Sequence, residues 1–171
     1  MFTKLSNQIR RWLHKPVFEY SQLVIFDGDQ TNCDTFTRLY QSPPTQTKYT
    51  WVSASTIPKV VQHSKLVEIL KTSSYGKEAV DTLIALVIYD TLVKYPHIKK
   101  VFIVSADGDF LDTIINLARY WPDVKFGLVN DQTRATSLKS KSAQRTLSDT
   151  YPNCSVTKIK RYPQLKKVTQ K

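Results

Sequence analysis

Cysteine is nearly absent from this sequence. Cys33 and Cys154 are the only two among 171 residues, too few for a disulfide framework or for a zinc site built on thiolates. A reducing, cytoplasmic setting is the expectation. No uninterrupted apolar run approaches the roughly 18 residues of a membrane-spanning helix, so no membrane span is expected. No internal repeat divides the chain. Acids are missing from the first 15 residues, and Asp149 is the only one after position 133.

What is present suits a single folded unit. The length is normal for one domain with one core, and a hydrophobic share of 41% belongs to globular rather than disordered chains. The net charge of +11 is unevenly spread: residues 1–15 contribute +4, residues 16–133 contribute −2, and residues 134–171 contribute +9. Such a balance points to a polyanionic partner, nucleic acid first; a solvated basic tail with no partner is the plainer reading. Arg161, Lys166 and Lys167 lie beyond the last expected strand and are the candidates for gripping a nucleic-acid backbone.

Three segments follow: a basic amphipathic helix over residues 1–16, a catalytic-type domain over 17–160, and a basic tail over 161–171. In the first, Phe2, Leu5, Ile9, Trp12 and Leu13 share one helical face, with Lys4, Arg10 and Arg11 elsewhere. Three readings are open for it: packing on the domain, contact with nucleic acid or a membrane surface, and a short transit-like segment. Pro16 ends it.

The organising stretch is Val101-Phe102-Ile103-Val104-Ser105-Ala106-Asp107-Gly108-Asp109-Phe110. Its apolar run reads as a strand buried on both faces. Two carboxylates follow at once, and helical periodicity begins at Phe110. Carboxylates are costly to bury unpaired and so face water, a cation or a helix cap; simple capping by Asp107 or Asp109 is the bland reading. Leu23-Val24-Ile25-Phe26 is a second such strand, ending in Asp27-Gly28-Asp29-Gln30-Thr31-Asn32.

Around these runs the coarse pattern is regular. A short helix is expected over 33–41 and a strand at Tyr49–Val52. A helix from Pro58 to about Lys71 follows. The segment from Lys77 to about Lys94 is apolar nearly all round, which predicts a buried helix. Asp81 sits in its second turn, four residues after Lys77; there it suits the helix dipole with no further role. Asp90 falls on another side. A helix from Phe110 to about Tyr120 is expected, with Asp112 solvated, then a strand over Val124–Val129. A helix over Ala135–Leu147 and a strand over Ser155–Lys160 complete the pattern. Alternating strands and helices predict an α/β fold, βαβ units on a parallel sheet. Both acid clusters then open on the sheet's C-terminal edge, where such folds bind ligands. Converging carboxylates call for a cation, and oxygen donors favour Mg²⁺ or Mn²⁺.

These motifs resemble the NYN branch of the PIN-like nuclease families. Asp27-Gly28-Asp29-Gln30, Lys77-Glu78-Ala79-Val80-Asp81 and Ser105-Ala106-Asp107-Gly108-Asp109-Phe110 match its three motifs in order and spacing, over about residues 21–130. The resemblance implies a PIN-like three-layer sandwich with a central parallel sheet flanked by helices. It also implies metal-dependent hydrolysis of phosphodiesters, mostly in RNA, with single-stranded RNA the expected partner. It would make Asp27, Asp81, Asp107 and Asp109 the Mg²⁺ or Mn²⁺ ligands, with Ser105 orienting a carboxylate or the water. Lys77 would hold the scissile phosphate or pair with Asp81. Gln30 departs from the family, which usually has asparagine there; the extra methylene moves the amide outward. A catalytically weak or inactive RNA-binding relative is one alternative.

A haloacid-dehalogenase-like phosphatase is the other. Asp27-Gly28-Asp29-Gln30-Thr31 also fits the Asp-x-Asp-x-Thr motif of those enzymes, with Asp27 as nucleophile and Asp29 as general acid. Ser53, Lys77 and Asp109 would take their remaining polar roles. That assignment leaves Asp81, Ser105 and Phe110 without a part.

Overall fold

A computed structural model describes residues 20–40, 46–73, 78–131, 151 and 153–159. The chain runs β1 (Gln22–Asp27), α1 (Cys33–Tyr40), β2 (Thr47–Ser53), α2 (Lys59–Gln62), β3 (Val67–Lys71), α3 (Ala79–Lys94), β4 (Lys100–Ser105), α4 (Phe110–Tyr120), β5 (Lys125–Asp131) and β6 (Cys154–Ile159). The strands form one six-stranded sheet in the order β3-β2-β1-β4-β5-β6. Every neighbouring pair is parallel, and the fold is an α/β three-layer sandwich.

The two buried runs legible in the sequence lie side by side at the centre. Leu23 pairs with Val101 and Phe26 with Val104, and their β-branched and aromatic side chains suit a strand covered on both faces. On one face Leu23, Ile25, Val101 and Ile103 pack against Val80, Ile84, Ile88 and Leu92 of α3 and against Phe110, Leu111 and Ile114 of α4. On the other, Val24, Phe26, Tyr49, Trp51 and Val104 meet Phe36 of α1 and Val61 of α2. Phe26 stacks on Trp51 at 5.9 Å between ring centroids, with Phe36 edge-on to both.

The strand order places a topological switch point between β1 and β4. From β1 the chain steps outward through β2 and β3, then returns across the sheet to lay β4 on β1's other side. A crevice opens where connections leave two adjacent strands in opposite directions. Asp27 ends β1 and Ser105 ends β4, so both acid clusters stand at that crevice.

Two expectations are corrected. The helix expected from Pro58 to Lys71 is one turn, Lys59–Gln62, after which the chain forms β3 at the sheet edge. Val67 and Ile69 there pack beside the Trp51 cluster while Leu70 reaches the opposite one. Alternate burial and a parallel ladder to β2 outweigh a helical pattern that no glycine or proline interrupts. The second correction is that α3 is not buried all round: Leu86, Tyr89 and Val93 are 60%, 57% and 61% exposed. The helix expected over 135–147 and the amphipathic segment 1–16 lie outside the described residues.

Candidate active site

The site grows from the end of β1. Asp27 is the last residue of a strand buried from Leu23 onward, and it is itself only 2% exposed. Its carboxylate is held from two sides. Ser105 Oγ donates to Oδ2 at 2.6 Å, and the Asp29 backbone N–H donates to Oδ1 at 3.2 Å. Burial pushes the Asp27 carboxyl up to about 6. The charges of Asp81 and Asp29 add to the rise, while the two hydrogen bonds oppose it. Asp81, in the first turn of α3, thus lies near enough for its charge to act on Asp27.

Ser105 links the two clusters. While its hydroxyl donates to Asp27, its oxygen accepts the Asp107 N–H at 3.0 Å, and Asp107 Oδ1 accepts the Asp109 N–H at 3.0 Å. An unbroken hydrogen-bonded path thus runs from the buried carboxylate to the entrance of α4. Asp109 occupies the N-cap position but makes no side-chain cap bond, so the simple capping reading fails for it. Asp107 is half-buried and Asp109 exposed on the rim. Asp90 and Asp112 are exposed, as expected.

Gly28 and Asp29 fix the loop after β1. The Gly28 N–H donates to Val52 O at 2.7 Å. A Cβ at Gly28 would stand 2.2 Å from Trp51 Nε1 and 2.8 Å from Ser53 Cβ, so glycine is required here by close approach. Trp51 Nε1 has no hydrogen-bond partner among the described residues. Asp29 turns away from Asp27 toward the end of β2. Ser53 Oγ and the Ser55 N–H donate to its Oδ1 at 2.8 and 3.2 Å, and the Ala54 N–H donates to Oδ2 at 3.3 Å. Although partial burial works against it, these donors hold the Asp29 carboxyl below its ordinary value.

Gln30 lies half-buried in the same turn, its N–H donating to Asp27 O at 3.2 Å. Asn32 is the cap of α1: its Oδ1 accepts the Thr35 N–H at 2.7 Å. Lys77, Arg161, Lys166 and Lys167 lie outside the described residues. Two further residues of the loop after β1 make bonds of their own. Thr31 Oγ1 donates to Val104 O at 2.8 Å, tying the β1 loop across the switch point; no local pattern announces that bond. Asn32 carried a usable signal, a capping residue directly before a helix.

Among the described residues, no three side chains of His, Cys, Asp or Glu form a group able to hold a metal ion by themselves. The same residues hold no helix long and apolar enough to cross a membrane.

Fold and site together define an α/β protein with an acidic cluster at its topological switch point. No protein-family model matches the chain, and no curated protein does. Solved structures do match. A protein of unknown function from Vibrio parahaemolyticus superposes with a TM-score of 0.50 at 15% identity, over 85% of this chain and 96% of that one. A short-chain dehydrogenase/reductase from Burkholderia vietnamiensis gives 0.47 at 9% identity, over 81% and 83%. The nicotinamidase of Staphylococcus aureus gives 0.43 at 15%, over 80% and 99%. The Vibrio protein supports the fold and says nothing of the chemistry.

Proposed function

We propose that the chain is a metal-dependent nuclease, a ribonuclease acting on single-stranded RNA, that hydrolyses phosphodiester bonds at the β1–β4 crevice. One observation carries the reading: a buried carboxylate, Asp27, sits at the switch point, fixed by Ser105 and acted on by the charge of a second acid, Asp81. The resemblance to NYN domains assigns those positions the same task.

The donor chemistry suits Mg²⁺ or Mn²⁺. Mg²⁺ commonly takes one or two protein carboxylates and completes its shell with water and substrate phosphate, so a closed cage of three acids is not required. Asp27 and Asp81 would hold the ion, with Asp107 and Asp109 on the rim. A cation there would draw charge from the phosphate and lower the pKa of the attacking water. The chain's own residues do the rest. Ser105 keeps Asp27 in one orientation. The path through Asp107 and Asp109 sets the loop that faces the substrate. Positive charge from the basic termini offsets the repulsion between RNA and an acidic crevice.

The same geometry weighs against the phosphatase alternative. A general acid must hold a proton at working pH, yet hydrogen bonds from the Ser55 and Ser53 side chains and the Ala54 and Ser55 N–H groups hold Asp29 below its ordinary value.

The deciding measurement is cleavage of single-stranded RNA with Mn²⁺ or Mg²⁺, with and without EDTA, for the wild type and Asp107→Asn. Metal-dependent cleavage that Asp107→Asn abolishes, with an unchanged circular dichroism spectrum, is expected. Undiminished cleavage by that variant would sink the site. RNA binding without cleavage would identify an inactive binder. Phosphate release from a small monoester, with RNA left intact, would identify a phosphatase.

A further inference from the structure

We infer that the outward apolar stripe of α3 is the dock for the chain's own amphipathic N-terminal segment, residues 2–13. Leu86, Tyr89 and Val93 lie on one face of α3 at spacings of 3 and 4, each more than half exposed. Tyr89 meets Trp121 edge-on at 5.4 Å, and exposed Tyr120 adjoins Trp121 at 6.3 Å. The stripe thereby broadens toward the end of α4. Isolated surface apolar residues need no explanation, but a contiguous patch marks a contact surface.

The position at which residues 1–19 join the described structure selects the occupant. Tyr20 packs edge-on against Tyr95, the residue closing α3, at 5.2 Å between ring centroids. The N-terminal segment therefore enters beside the foot of the stripe. From Leu86 to Val93 the stripe rises about 10 Å at roughly 1.5 Å per residue. Leu5, Ile9 and Trp12 or Leu13, spaced 4 and then 3 or 4, share one helical face and, as a helix, cover about the same length. Residues 14–19 span up to about 20 Å when extended, ample for the return to Tyr20.

Charge agrees with the pairing. Residues 1–15 carry Lys4, Arg10, Arg11 and Lys15 and no acid, while Asp90 stands exposed on α3 between Tyr89 and Val93. Laying Leu5 to Leu13 along Leu86 to Val93 brings Arg10 and Arg11 to the level of Asp90. A membrane or RNA role for the apolar face of 2–13 would leave the α3 stripe uncovered. The intramolecular dock accounts for both surfaces at once.

The test uses the full chain with Tyr89→p-benzoylphenylalanine, irradiated and digested, and the cross-linked peptides identified by mass spectrometry. Cross-links from position 89 into residues 1–15 of the same chain are expected, in a mixture of isotopically light and heavy protein that yields no mixed pairs. Mixed pairs would show a second copy on the stripe, and absence of links to residues 1–15 would show an unoccupied one; either overturns the proposal. Trypsin gives an independent reading. Cleavage after Arg10 and Arg11 should quicken at least fivefold in Leu86→Asp and in Val93→Asp, whose exposed positions leave the core intact. Unchanged rates in both would likewise overturn it.

Discussion

Ser105 Oγ donates to Asp27 Oδ2 at 2.6 Å across the seam between β1 and β4, joining residues 78 apart in the chain. The bond decides how Asp27 titrates. In Ser105→Ala the carboxylate loses its nearest donor, and the Asp107 N–H loses its acceptor. Asp27 should then titrate above about 6, and stability should fall by about 1–3 kcal/mol, the cost of stranding buried polar groups. RNA cleavage, which needs the ionised carboxylate, should lose activity at its acid limb first. Carbon-13 carboxyl NMR follows the titration directly. An unmoved midpoint would remove Ser105 from the assigned role.

Asp27 also sets a pH dependence of folding. Its carboxyl is raised from 3.8 to about 6, so the folded state favours the neutral form. The resulting stability is present in full below pH 3.8 and is lost as pH rises through about 6. The full swing is roughly 3 kcal/mol at 1.36 kcal/mol per pKa unit. Asp27→Asn should abolish that swing and exceed the wild type in stability at pH 7.5. A bound cation reverses the effect: Mn²⁺ should raise the wild-type Tm at pH 7.5 and leave the variant's unchanged. Urea titrations from pH 4 to 8 check the first part and thermal melts the second. Parallel curves for both proteins would contradict the assignment.

Gly28→Ala tests the floor of the crevice. The added Cβ meets the Trp51 indole and Ser53, atoms packed beneath the loop rather than flexible tips. Overpacking of this kind costs about 1–3 kcal/mol. Because Gly28 lies between Asp27 and Asp29, activity should fall further than stability alone explains. A folded variant, checked by circular dichroism below its Tm, should lose at least tenfold in cleavage rate. Wild-type rates from a destabilised protein would separate the loop's geometry from catalysis.

The parts legible in the sequence were those whose signal is local. Leu23–Phe26 and Val101–Val104 announce central parallel strands because both their faces are covered, and the acids after each mark the C-terminal edge. The parallel sheet and the opening of both acid clusters on one edge followed from that alternation, whereas a part for Ser105 beside a carboxylate came only from the resemblance to NYN domains. What stayed hidden depends on partners distant in the chain. Val67–Lys71 becomes a strand because β2 offers it a ladder and Trp51 a place to pack, neither visible in its own pattern. The outward stripe of α3 was hidden because uniform apolarity gives no face. Asp29's grip on Ser53 and Thr31's on Val104 span 24 and 73 residues, so nothing at either end declared them.

Gln30→Asn addresses the one mismatched position in the first of the three motifs that resemble NYN domains. Asn32 cannot stand in for the missing amide, because its side chain caps α1. The shorter amide at position 30 should raise cleavage or Mn²⁺ affinity severalfold while leaving the turn, whose bond uses the backbone N–H of residue 30, intact. Isothermal titration with Mn²⁺ and single-turnover cleavage read the two effects. A clear fall in both would show a site built around glutamine.

Asp29 offers the converse of Asp27, two residues away. Its carboxyl is lowered by donors from the end of β2, so its stabilising effect is present above 3.8 and lost as pH falls through its lower folded value. Hydrogen bonds to a charged group contribute about 1.5–3 kcal/mol, and half-exposure places this cluster near the lower figure. Asp29→Ala should therefore destabilise the protein by about 1–2 kcal/mol at pH 7 and by less at pH 3. Ser53→Ala should cost less, because the Ala54 and Ser55 N–H groups remain on the carboxylate. The double variant should cost less than the two losses added together, since each single change already breaks the 2.8 Å bond they share. A coupling of about 0.5 kcal/mol or more in that cycle would mark the loops as one unit. Strict additivity would mean that Asp29 and Ser53 act independently, and that the Ala54 and Ser55 N–H groups carry the tie between Asp29 and the end of β2.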